Sequence, residues 1–137
     1  MKKILIIDGM GGGIGKLVIE KLRDANNNAE IIAVGTNTVA TAAMLKAGAN
    51  HGATGENAVI YNCTRVDYII GAIGIAFANS MHGEISPSMA NAVSCSEAHK
   101  ILIPMERCNV TVAGVSVAPI QNYVHEIVNC YIDGNSL

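Results

Sequence analysis

The chain has 137 residues, 50% of them hydrophobic and 15% charged, and a net charge of −2. That length makes one domain, whose core needs no metal or disulfide, and the apolar content excludes a disordered tail. The charge balance gives no electrostatic drive toward nucleic acid or an acidic membrane, and 4% aromatics without Trp leave few platforms for stacking bases.

Lys3–Asp8 is a continuous apolar run ending in an acid, the pattern of a strand buried on both faces. Lys2 and Lys3 mimic the start of a signal peptide, but Asp8 and Gly9 stop the apolar run far short of one. Ile14–Arg23 puts Ile14, Leu17, Val18 and Leu22 on one helical face. Glu30–Gly35 reads as a second buried strand. Asn37 or Thr38 caps a helix that runs to Ala47 and stops at Gly48. A short third strand is expected near Asn50–Ala53, followed by a helix over Glu56–Thr64 with Thr54 as its cap. Asp67–Ala72 is the next strand. Ser86-Pro87, a capping hydroxyl before a Pro at the first helical position, opens a helix to Ala98 that presents Met89, Ala90 and Val93 to the core. Lys100–Pro104 and Asn109–Ala113 read as strands. Pro119 opens a last helix with Ile120, Val124, Ile127, Val128 and Tyr131 on one face and Gly134 at its end.

Strands alternating with helices imply a parallel sheet covered on both faces. Between Pro104 and Asn109 there is room for a tight turn only, whereas parallel neighbours need a crossover of roughly a dozen residues. Asn109–Ala113 is therefore expected to run antiparallel at an edge. The fold class is α/β: one Rossmann-like three-layer sandwich over residues 1–137, with a mainly parallel sheet of order 3-2-1-4-5 and an antiparallel edge strand. A flavodoxin-like 2-1-3-4-5 order follows instead if the short third strand does not form.

Asp8-Gly9-Met10-Gly11-Gly12-Gly13-Ile14-Gly15 joins the first strand to the first helix. Glycine there removes side chains that would block a phosphate, and the helix N-terminus offers N–H groups and a partial positive charge. Gly9, Gly11, Gly12, Gly13, Ile14 and Gly15 are the candidate cofactor-binding residues. Thr36 and Asn37 after the second strand, Gly71 in the fourth, and Asn79 and Ser80 beyond it join them. Asp8 would repel a pyrophosphate unless it faces away or is protonated.

The spacing Gly9-x-x-x-Gly13-Ile14-Gly15 resembles the short-chain dehydrogenase/reductase family. Val66–Ile75 looks like that family's strand ending in Asn-Asn-Ala-Gly, with both Asn positions replaced. The resemblance implies NAD or NADP as the cofactor. Two departures set the chain apart. No Tyr has Lys four residues on, so the family's catalytic Tyr-x-x-x-Lys is missing, and Gly35-Thr36-Asn37 lacks the acid that holds an NAD ribose. The whole chain is also similar to an uncharacterised bacterial family of short Rossmann-like proteins, through Ile7–Gly15, Gly52–Asn57 and Ala78–Met81. That likeness implies the fold and no reaction.

His82 and Glu84 are candidates for acid and base, and Arg107 for holding a carboxylate or phosphate. Cys95 and His99, spaced i, i+4, do not complete a zinc site, so no metal is expected. Cys63, Cys95, Cys108 and Cys130 contain no C-x-x-C pair and read as thiols of a cytoplasmic protein. The expected function is binding of a small-molecule nucleotide of NAD(P) type or another phosphate, with catalysis unassigned. The alternative is a non-catalytic oligomeric binding or regulatory protein. From Ile31 to Ser96 only Lys46, Glu56, Arg65, Asp67 and Glu84 are charged, out of 9 basic and 11 acidic residues in the chain. Helices so poor in charge predict a homodimer or a higher homo-oligomer, and Met44 and Met89 are its candidate contacts.

Overall fold

The N-terminal apolar run forms β1 (Lys3–Asp8), the middle strand of five, and its side chains from Ile4 to Asp8 are all buried. The computed structural model describes residues 2–25, 27–105, 109–116 and 118–132. Arg107, Cys108, Gly134 and the Tyr131 side chain lie outside that description. The other strands are β2 (Glu30–Gly35), β3 (His51–Thr54), β4 (Tyr68–Ala72) and β5 (His99–Ile103). All pairings are parallel, in the order β3-β2-β1-β4-β5, and Ile4 sits between Ile31 and Tyr68 across the central three strands. The short third strand exists, which settles the order against the flavodoxin-like alternative.

The strict alternation of β1 divides the core. Ile4 and Ile6 face α1 (Gly13–Asp24), α2 (Thr38–Ala47) and α5 (Ile120–Glu126), while Leu5 and Ile7 face α3 (Glu56–Cys63) and α4 (Pro87–Cys95). Each such large apolar side chain withdrawn from water contributes about 1.5–3 kcal/mol. Because successive strand side chains point to opposite faces and both sets are apolar, only helices layered on both sides of the sheet bury them. Asn37 caps α2 by accepting the Ala40 N–H at 2.9 Å, and Gly48 ends it at φ 123°. Ser86 caps α4 by accepting the Met89 N–H at 3.2 Å, with Pro87 at the first helical position. Among the described residues no helix is long and apolar enough to cross a membrane.

Four expectations change. Asn109–Ala113 is not a strand: Asn109 is left-handed at φ 55°, Thr111 to Ser116 are exposed, and an alternation with no buried face has nothing to select a register. β5 is therefore the edge. Thr54 does not cap α3; its hydroxyl pairs with that of Thr41 at 2.7 Å, and Gly55 holds the cap position at φ 101°. The last helix changes pitch, passing from α5 into a π-helical turn over Ile127–Ile132. Met44 and Met89, the expected interface contacts, are 0% and 3% exposed and belong to the two cores.

Candidate functional site

The chain reverses its walk across the sheet between β1 and β4, and there the carboxyl ends of the strands open into a cleft. Its volume is about 940 Å³. The floor is Asp8 and Ala72 at the ends of β1 and β4. One wall is the glycine loop with Ile14 and Leu17 of α1; the other is Met105 and Asn109 after β5 with Ile120 of α5. Asn79, Ser80, Met81 and His82, in the loop between β4 and α4, form the rim.

The glycines of the first loop do three different jobs. Gly12 is the N-cap of α1 at φ 75°, and a Cβ there would lie 2.9 Å from the Ala40 backbone. Gly15 packs on Met44 and Asp8, and a Cβ on Gly9 would sit 2.6 Å from the Glu84 carboxylate. Gly11 and Gly13 differ from all of these. Both are exposed on the cleft, neither has a positive φ, and a Cβ on either would meet nothing within 4 Å. Their N–H groups have no hydrogen-bond partner among the described residues, which for Gly13, in the first turn of α1, is ordinary.

Two carboxylates hold the amides of Gly9, Met10 and Gly15. Asp8 is 5% exposed and accepts the Gly15 N–H at 2.6 Å and the Gly9 N–H at 2.8 Å. Burial pushes its carboxyl up, against the nearby amides of Gly15, Gly9 and Ile14 that pull it down, and the Glu84 charge adds to the rise. Asp8 is thus turned into the start of α1. Glu84 accepts the Met10 N–H at 3.1 Å and the Thr36 hydroxyl at 2.9 Å through Oε1, and the Asn37 amide at 3.2 Å through Oε2. Its partial burial raises the carboxyl, but Met10, Asn37, Thr36 and the nearby His82 together hold it below the ordinary range. Glu84 is therefore a fixed negative charge, poorly suited to giving up a proton at neutral pH.

The sequence candidates separate accordingly. Gly9, Gly11, Gly13, Ile14, Asn79, Ser80 and His82 line the cleft. Thr36, Asn37 and Glu84 are bound to one another behind the glycine loop and do not line it. Gly12 and Gly15 serve packing, and Gly71 lies inside β4, where a Cβ would approach the Ile7 carbonyl to 2.7 Å. The Ser80 hydroxyl donates to the Gly74 carbonyl. Met10, Leu17, Met105, Asn109 and Ile120 line the cleft and were not among the candidates. One feature of the backbone marks the same place: the five non-glycine residues with positive φ among those described, Met10, Asn79, Met81, His82 and Asn109, all line this cleft. Conformations of that kind are costly and gather where function constrains the chain.

No curated protein matches the chain. Among solved structures it is similar to a universal stress protein in complex with cAMP, at 14% identity over 76% of this chain and 98% of that one, TM-score 0.41. It is also similar to a dodecameric FMN-dependent Ubix-like decarboxylase from Escherichia coli O157:H7, at 16% identity over 91% of this chain and 90% of that one, TM-score 0.46. Residues 3–134 match the model of the domain of unknown function DUF3842, and the chain belongs to that family rather than being placed with the short-chain dehydrogenase/reductases.

Proposed function

We propose that the cleft binds a small-molecule nucleotide, taking a phosphate on the amides of Gly11 and Gly13. The observation that carries this reading is the pair of glycines themselves. Neither is required by backbone conformation or by packing, yet both stand at a helix N-terminus on the cleft. A bare backbone at that point serves a group that approaches from outside. The apolar side chains of Ile14 and Leu17 on one wall and of Met105 and Ile120 on the other suit the body of such a ligand, and Asn79 and Asn109 supply polar contacts at its edge.

NAD and NADP fit less well than a ligand with one phosphate. A pyrophosphate draws on several amides of the helix N-terminus, and that of Gly15 already donates to Asp8. A thermal-shift series with AMP, ATP, FMN, NAD and NADP tests the reading. A nucleotide at 100 times its Kd stabilises by about 2.7 kcal/mol. Gly13→Val removes that shift and leaves the unliganded protein folded. No shift with any nucleotide at millimolar concentration sinks the proposal.

A second reading, self-association, is favoured by the exposure of Val39 and Leu45 on α2 and of Ile60 and Tyr61 on α3. These helices flank β3, a four-residue edge strand, in a segment poor in charge. Sedimentation at micromolar concentration tests it: an oligomer that Val39→Glu dissociates supports this face, and a wild-type monomer refutes it.

A further inference from the structure

We propose that the carboxylates of Asp8, on the floor of the cleft, and Glu84, behind the glycine loop, set the charge of the group the cleft accepts: a singly charged phosphodiester, not a doubly charged terminal phosphate. This inference rests on the ligand reading above and specifies the ligand class.

The argument begins with the loop between β4 and α4. Asn79, Met81 and His82 are left-handed at φ 67°, 58° and 56°, and Gly83 at 87°. The loop closes on itself through Asn79 N–H to the Ile85 carbonyl at 2.6 Å and Ile85 N–H to the Ser80 carbonyl at 3.2 Å. That path carries Glu84 back across the end of β2 to the glycine loop, where its carboxylate meets Met10 N–H at 3.1 Å. The open amide of Gly11 is one peptide unit further along. The Asp8 carboxylate occupies the Gly9 and Gly15 amides at the two ends of the same loop. Along the chain, the open amides of Gly11 and Gly13 thus lie between amides held by the two acidic side chains.

The hydrogen bonds from these two amides are the same for a phosphodiester and a phosphomonoester. The repulsion from a fixed neighbouring carboxylate is not, because it scales with the charge on the ligand. A second negative charge therefore adds cost without adding a donor. The titratable groups facing Glu84 are Asp8 at the end of β1 and His82 on the rim.

The test is calorimetric titration of wild type and Glu84→Gln with two probes, AMP and its 5′-methyl ester, at pH 8. The second ionisation of a phosphomonoester lies near pH 6, so AMP is then doubly charged and the ester singly charged. Wild type is expected to bind the ester about fivefold tighter than AMP, and Glu84→Gln to close most of that gap. At pH 5 AMP itself carries one charge, so the gap closes in wild type without any substitution. AMP binding as tightly as the ester to wild type at pH 8 overturns the proposal and leaves the ligand reading standing. An equal loss of both probes in Glu84→Gln marks a structural role and also overturns it. If neither probe binds either protein, the nucleotide reading falls with it.

Discussion

The two ends of the sheet solve the same loop problem in opposite ways. At the amino end, side chains tie the turns to backbone carbonyls and N–H groups. Arg23 donates to the Gly48, Asn27 and Ala29 carbonyls, each at 3.0 Å, and to Asn50 Oδ1 at 2.8 Å. Asn50 Oδ1 also accepts the Ile31 N–H, and Asp67 accepts the Lys3 N–H. Ser96 donates to the Cys63 carbonyl at 2.5 Å and accepts the Ala98 N–H. Among the described residues, no non-glycine with positive φ occurs at that end. The carboxyl end has all five of them, two exposed glycine amides and a cleft. The first arrangement stabilises by satisfying what burial would otherwise leave unpaired. The second leaves donors open and holds strained backbone in place, which is useful only if something binds there.

Four substitutions probe that contrast. The largest loss of stability is expected from Gly12→Ala, at about 3 kcal/mol, because the new Cβ meets the Ala40 backbone and the residue must keep φ 75°. Urea unfolding measures it; a loss below 1 kcal/mol would mean that the loop relaxes freely. Arg23→Ala comes next, at about 2 kcal/mol, since it strips the donor from three carbonyls at once. It should leave nucleotide affinity unchanged, and an altered affinity would show that the two ends are coupled.

Glu84→Gln is expected to cost about 1 kcal/mol or less at pH 7, as a half-buried carboxylate is partly screened by solvent. Its carboxyl lies lower in the folded chain than in the unfolded one, so its contribution is full above the unfolded value of about 4.3 and is lost as pH falls through the folded value. The unfolding free energies of wild type and variant should therefore converge in acid. Asp8 pulls the other way: its carboxyl is raised by folding, so its contribution improves as pH falls. A difference that widens in acid would contradict the assignment of Glu84. The smallest effect belongs to Gly13→Ala, where open space and ordinary φ predict a gain of about 0.5 kcal/mol from lower unfolded-state entropy. A measured loss larger than that would show Gly13 to be structural and remove the main support for the ligand reading.

The order of elements was legible because each rests on local periodicity or on a cap. β1 and β2 begin and end where the apolar runs do, and α2 and α4 start at Asn37 and Ser86-Pro87 as their side chains dictate. The four-residue β3 has no apolar run of its own and was expected only from the family resemblance, which places a short strand there. The glycine loop was readable as a cluster, but the division of labour within it was not. Gly12 and Gly15 look like Gly11 and Gly13 in the chain; Ala40 and Met44, which α2 brings alongside, tell them apart.

The sequence alone determined a parallel α/β domain with its glycine loop at the carboxyl edge, because strand and helix periods are properties of neighbouring residues. Tertiary structure alone decided how that loop is charged. Glu84 stands 74 residues from Met10 and 48 from Thr36, and no local rule links positions so far apart. It also decided the failure at Asn109–Ala113, where an alternating pattern found no surface to bury against. A contact between distant segments depends on how whole layers pack, so the carboxylate that meets Thr36 and Asn37 after β2 comes from the loop before α4.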